Sequence, residues 1–183
     1  QMGAVMRESA ELALVVARQL AVERGTPSGY FREHDFHLHI PAGAIPKDGP
    51  SAGAAMALTL LSAFRHEAVR ADLAVTGEIT LRGHILPVGG LKEKVLAARR
   101  ERFAALALPY ENRAEIAALP KEVTAGLKLY YIREFRELAA LALTGRGEET
   151  DGEENDNSTP LSGRCLWEKA ADCEEGEGEE EGD

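Results

Sequence analysis

The sequence predicts a layered α/β (α+β) domain followed by an acidic, disordered tail, and three observations carry that expectation. Segments with helical periodicity alternate with short apolar runs of strand length, the pattern of helices layered on a sheet. Roughly 140 residues precede a sharp break in composition near Thr144, enough to bury most of the apolar surface of one core. Charge divides at the same point. Gly145 to Asp183 holds 15 Asp and Glu against 3 Lys and Arg, a net of -12, so with the whole chain at -10 residues 1–144 stand at +2.

The elements follow in order. A helix is expected from about Ala4 to Ala21, then a loop through Gly29. Asp35-Phe36-His37-Leu38-His39-Ile40 alternates strictly, which predicts a strand at Phe36 to Ile40 with Phe36, Leu38 and Ile40 toward a core and Asp35, His37 and His39 on the other face. Ala54 to Leu61 is rich in good helix formers and opens a helix that runs to about Arg65. Asp72 to Gly77 and Ile85 to Leu86 read as strands, and Gly83 to Gly90 as a hairpin leading into a helix that carries Leu91, Val95 and Ala98 on one stripe. A short apolar strand at Ala104 to Leu108, a helix at Arg113 to Leu119, a strand at Leu127 to Ile132 and a closing helix at Glu134 to Leu143 complete the domain.

The stretch most directly tied to chemistry is Pro46-Lys47-Asp48-Gly49-Pro50-Ser51-Ala52-Gly53. Two prolines and two glycines fix a tight turn, and Ser51 sits where that turn enters an apolar helix. Backbone N–H groups and the positive end of the helix dipole gather there, so an oxyanion forming beside Ser51 would meet fixed donors. A serine before a helix is more often only an N-cap. A hydroxyl nucleophile also needs a base. Gly89-Gly90-Leu91-Lys92-Glu93-Lys94-Val95 offers two lysines on one helix. At about 100° per residue Lys92 falls beside Arg99 on the polar side, whereas Lys94 borders the apolar stripe. A lysine held against apolar packing loses solvation of its charged form and can act as a neutral amine, although a boundary lysine that simply snorkels is the plainer reading.

These two stretches, with Thr76-Gly77-Glu78-Ile79-Thr80-Leu81-Arg82-Gly83-His84-Ile85-Leu86-Pro87-Val88 between them, resemble the proteolytic domain of the ATP-dependent Lon serine proteases. The likeness runs from about Gln1 to Leu143 and takes in Gly3 to Ala10, His37 to Gly43 and Pro109-Tyr110-Glu111-Asn112. It implies a Lon-type layered domain with a mixed sheet and packed helices. It also implies Ser51 as nucleophile and Lys94 as general base, with Thr76 orienting the lysine and Asp48 and Glu78 as acidic neighbours that tune the lysine or occlude the serine. The activity implied is endoproteolysis of unfolded or damaged polypeptides by a homohexamer, without metal or cofactor in this chain. ATP and Mg are implied only for an AAA+ ATPase region outside it. Relative to the family the chain is expected to lack the opening strands and to be a fragment. A catalytically silent assembly or binding module of protease fold is the alternative.

Other readings are weaker. His37 and His39 share a strand face, but no third or fourth metal ligand stands at a recognisable spacing, and a Ser51-His-Asp triad is the rival catalytic scheme. There is no HExxH zinc signature and no GxxxxGK phosphate loop. Both cysteines, Cys165 and Cys173, fall in the tail beside the isolated Leu166-Trp167 pair, which suits a reducing compartment. No run approaches the roughly 20 apolar residues of a bilayer span, and no leader precedes Gly3, so a cytoplasmic protein is expected. A near-neutral domain with an acidic tail argues against nucleic acid as a partner.

Overall fold

A computed structural model of the chain describes residues 3–40 and 48–146. The expectations for the tail, for Cys165 and Cys173 and for Pro46 and Lys47 lie outside the described residues. In chain order the elements are α1 (Ala4–Glu23), α2 (Tyr30–Glu33), α3 (Gly53–Arg65), β1 (Glu67–Val69), β2 (Leu73–Val75), β3 (Glu78–Ile79), β4 (Ile85–Leu86), α4 (Leu91–Arg100), β5 (Ala105–Pro109), α5 (Arg113–Ala118), α6 (Lys121–Thr124), β6 (Lys128–Ile132), α7 (Phe135–Ala142) and β7 (Leu143–Arg146). Tyr110 to Asn112 form one turn of 3-10 helix between β5 and α5.

The centre is a parallel sheet in the order β2, β5, β6, with Leu73 to Val75 paired against Ala105 to Ala107 and Ala105 to Pro109 against Lys128 to Ile132. Because the strands are parallel, the chain must return from the carboxyl edge of the sheet to its amino edge between them. The helix α4 makes that return after β2. Its end lies near the amino edge, where the Ala104 and Ala105 N–H groups donate to the Asp72 carbonyl. Alternation on the strands separates two faces. Leu73, Val75, Ala105 and Ala107 pack with α1, α3 and α7, whereas Ala74, Leu106 and Leu108 pack with Leu91, Val95 and Ala98 of α4 and Ile116 of α5. Two antiparallel pairs, β3 with β4 and β1 with β7, make the whole a mixed α/β structure.

On α1 the buried residues Ala13, Val16, Ala17, Leu20 and Ala21 recur at the spacing of one helical face. Small residues on that stripe, and Ala54 and Ala57 at 0% exposure on α3, let the two helices approach closely. Gly53 is the tightest point. A Cβ there would lie 2.7 Å from Ser9 Oγ, 2.9 Å from Ile79 Cγ2 and 3.2 Å from the Ile79 backbone nitrogen. Alanine would ordinarily raise helix propensity by ~1 kcal/mol, but overpacking costs about 1–3 kcal/mol. Gly53→Ala is therefore expected to lower the thermal midpoint; an unchanged or raised midpoint in a melt followed by circular dichroism would show that α1 and β3 yield freely.

One expected strand does not form. Phe36, Leu38 and Ile40 are partly buried against the core and Asp35, His37 and His39 are exposed, so the alternation is real. Yet no strand among the described residues pairs with this segment, and an extended run without a ladder is not a strand. Structure also continues past the composition break, since β7 pairs Val69 with Leu143 and Glu67 with Arg146.

Candidate active site

Ser51 lies in the turn before α3, one residue ahead of the N-cap, Ala52. No side-chain cap bonds to this helix, so the plain N-cap role is not what Ser51 performs. Its backbone is held firmly. The Gly77 N–H donates to the Ser51 carbonyl at 2.9 Å and the Thr76 hydroxyl donates to the same oxygen at 3.3 Å. The Ala54 N–H returns a bond to the Gly77 carbonyl at 3.0 Å. The serine turn is thereby stitched to the chain as it leaves β2, whose last ladder partner is Ala107.

Thr76 itself is buried at 4% exposure. A hydroxyl that donates to a carbonyl keeps lone pairs that can accept from an amine, so its position on Ser51 is compatible with orienting a lysine. Glu78 follows on β3, half-buried and level with Leu86 of β4. Asp48 faces another way: its Oδ1 accepts the Met6 N–H at 2.9 Å and the Gly49 N–H at 2.9 Å. Met6 is in the first turn of α1, whose N-cap, Gly3, has no side chain, so Asp48 supplies the cap from 42 residues away and ties the serine turn to α1. Asp48→Ala should cost about 1 kcal/mol of stability, the usual worth of a cap. Asp48→Asn, which keeps the acceptor, should recover most of it in urea unfolding; equal losses would mean that the charge rather than the bond matters.

Lys94 sits in the first turn of α4, on the opposite face of the sheet from α3. As the helical wheel indicated, Leu91, Val95 and Ala98 are buried, Lys92 is exposed and Lys94 is half-buried. Its Nζ donates to the Gly89 carbonyl at 2.9 Å. Gly90, the N-cap, has φ 65° and ψ 37°, a left-handed conformation in which a side chain would be strained. A Cβ there would also stand 3.4 Å from Lys94 Nζ.

Sequence reasoning assigned no role to Asn112, yet it fixes this loop. Buried at 5% exposure, it accepts the Val88 N–H on Oδ1 and donates from Nδ2 to the Val88 carbonyl, both at 3.0 Å. A carboxamide that pairs with both polar groups of one residue replaces a missing strand neighbour. Asn112 follows β5 at its carboxyl end, so it anchors the start of α4 at that edge. The signal in the sequence was only a polar residue after an apolar strand, which periodicity cannot distinguish from a solvated turn. His37 and His39 stack at 6.3 Å between ring centroids, and among the described residues no group of three or more His, Cys, Asp or Glu could hold a metal ion. Among the same residues no helix is long and apolar enough to cross a membrane.

An α/β domain that gathers a serine turn and a lysine-bearing helix start at the carboxyl edge of a parallel sheet has the layout in which such folds build reaction sites. The chain belongs to the Lon protease (S16) C-terminal proteolytic domain family, which matches residues 1–145. It is 50% identical over 143 residues to Lon protease 1 of Sorangium cellulosum, covering 78% of this chain and 18% of that protein. It is 49% identical over 144 residues to Lon protease of Syntrophus aciditrophicus, covering 79% and 18%. With Lon protease of Escherichia coli it shares 46% identity over 142 residues, again 78% and 18%. The chain thus spans about a fifth of the length of the curated relatives it matches.

Proposed function

We propose that this domain is a serine endopeptidase in which Ser51 attacks the peptide carbonyl and Lys94, as a neutral amine, takes the hydroxyl proton. The observation that carries the reading is topological. The Ser51 turn is bonded to the chain leaving β2, and α4 starts at the same carboxyl edge because Asn112 pins Val88 there. Two helices from opposite faces of the sheet thereby direct their first turns to one edge. Attack forms the Ser51 Oγ–C bond and a tetrahedral oxyanion, and collapse expels the amine with the proton Lys94 carries. Water then cleaves the acyl-enzyme by the same proton path.

The oxyanion requires donors. The Gly53 and Ala54 N–H groups are already taken by the Pro50 and Gly77 carbonyls, whereas those of Ser51 and Ala52 have no acceptor among the described residues and flank the nucleophile. Thr76 is assigned to orient Lys94 through its remaining lone pairs, and Asp48 to hold the serine turn in register. Glu78 is assigned to the electrostatic surroundings of the lysine. The substrates proposed are unfolded or damaged polypeptides, with ATP-driven delivery by an AAA+ region outside this chain, a hexameric assembly and a cytoplasmic setting. The Lon names of the relatives and the family match support the peptidase reading.

The test is hydrolysis of casein by the wild-type protein, Ser51→Ala and Lys94→Ala, each checked for folding by circular dichroism. Both variants are expected to fold and to be inactive. Equal activity in all three proteins rejects the dyad, and inactivity in all three favours a silent assembly module.

A further inference from the structure

A groove of about 520 Å³ opens beside the carboxyl edge of the sheet, lined by Tyr110, Glu111, Arg113, Ala114, Ala117 and Arg133. Strand register fixes its place. Val75 pairs with Ala107 and Pro109 with Ile132, and a Cβ on Gly77 would stand 3.6 Å from Pro109 Cγ, so Gly77, Pro109 and Ile132 lie level across three neighbouring strands. Ser51 is bonded to Gly77, Tyr110 follows Pro109, and Arg133 follows Ile132. The serine turn, the tyrosine and the arginine therefore form a row, with about 4.8 Å between neighbouring strands.

Arg65, Arg70 and Arg136 pair with carboxylates, but neither Arg113 nor Arg133 forms an ion pair among the described residues. Arg133 is held with its guanidinium carbon 3.5 Å from the centroid of the Tyr110 ring. Stacking of this kind occupies one face of the guanidinium, and a guanidinium carries five N–H donors, more than one tyrosine hydroxyl can engage. Hydrogen bonds from the Arg113 side chain and, after it, the Arg133 side chain, with their positive charges, hold the Tyr110 phenol below its usual range. Glu111 is the one carboxylate among the lining residues, so two positive charges face a single negative one. The small Ala114 and Ala117 leave room above them. A planar N–H edge matches a carboxylate by two parallel hydrogen bonds.

We propose that Arg113 and Arg133 form a subsite for a carboxylate of the polypeptide substrate, an Asp or Glu side chain or a chain terminus. Two strand spacings, at about 3.3 Å per residue of extended peptide, place it roughly three residues from the bond at Ser51. The proposal rests on Ser51 as the nucleophile, but carboxylate binding can be read without cleavage.

The experiment uses fluorogenic peptides in pairs that differ only by Glu or Gln, scanned over four positions on each side of the cleaved bond, with free and amidated termini. The wild-type protein should prefer the carboxylate about tenfold in kcat/KM at one position, the discrimination of one charge-assisted pair. Arg133→Gln and Arg113→Gln should bring that ratio toward one, and Arg133→Lys should restore part of it; the ratio cancels any general loss of activity. No preference at any position in the wild type, or an unchanged ratio in both glutamine variants, overturns the subsite. Fluorescence anisotropy of the same peptides on Ser51→Ala separates the two ideas. A Glu preference in binding that Arg133→Gln removes supports the subsite even if Ser51 proves not to be the nucleophile. If sedimentation shows that the glutamine variants lose assembly while the ratio stays put, the groove is a contact between copies and the proposal fails.

Discussion

Lys94→Met is expected to reduce turnover of an unstructured substrate about 10³-fold or more, the scale of losing a general base that acts as a unit with its nucleophile. Methionine keeps the unbranched stem that borders Leu91, Val95 and Ala98, so the helix should stay docked while the amine disappears. Lys94→Arg is the sharper variant. It retains a positive charge near the Gly89 carbonyl, but a guanidinium cannot be deprotonated in a protein and so cannot accept the Ser51 proton. If the lysine is a base, the arginine variant is as inactive as the methionine one; if it acts only as a cation that stabilises charge, the arginine variant keeps substantial activity. The double variant Ser51→Ala with Lys94→Met should lose little beyond either single change, because groups sharing one step are not additive. An activity loss that multiplies would show that the two residues act in separate events.

Asn112→Leu should cost about 2–6 kcal/mol, because it leaves the Val88 N–H and carbonyl buried without partners at roughly 1–3 kcal/mol each. Leucine keeps the branched skeleton and is somewhat larger than asparagine, so the change opens no cavity and the loss reflects the broken hydrogen bonds together with the fit of the two methyl groups. Asn112→Asp is the controlled comparison: a carboxylate can still accept the Val88 N–H but meets the Val88 carbonyl with no donor. Both should lower the denaturant midpoint. Both should also lower kcat more than they raise KM, since Val88 precedes the Gly89 carbonyl that receives Lys94 Nζ. A variant that unfolds earlier yet turns over normally at low temperature would show that the clamp supports the fold without positioning the lysine.

Much of the architecture was legible because local chemistry repeats. The stripe of Leu91, Val95 and Ala98 gave α4 its buried face and ranked Lys94 above Lys92 for burial, and both readings match the structure. Strands at Ile85–Leu86, Ala105–Pro109 and Lys128–Ile132 lie within a residue or so of where apolar runs put them. The segment from Phe36 to Ile40 shows the limit. Its alternation predicts which side chains face inward, and they do, but a ladder requires a partner that alternation cannot name. Short strands such as β1, at three residues, and helices such as α2 and α6, at four, were missed because they carry little more than one period of their pattern, too little for a repeat to show.

The sequence by itself determined the order of the longer helices and of the strands of the central sheet, the chemistry-bearing turn at Ser51 and the half-buried place of Lys94, because each follows from residue type and spacing within about ten positions. Only the tertiary structure decided that Asp48 caps a helix 42 residues away, that Thr76 and Gly77 grip the Ser51 carbonyl, that Asn112 clamps Val88, and that Arg113 and Arg133 converge on Tyr110. Those contacts depend on how parallel strands bring distant loops to one edge, and single polar residues leave no period in the chain from which such pairing could be read.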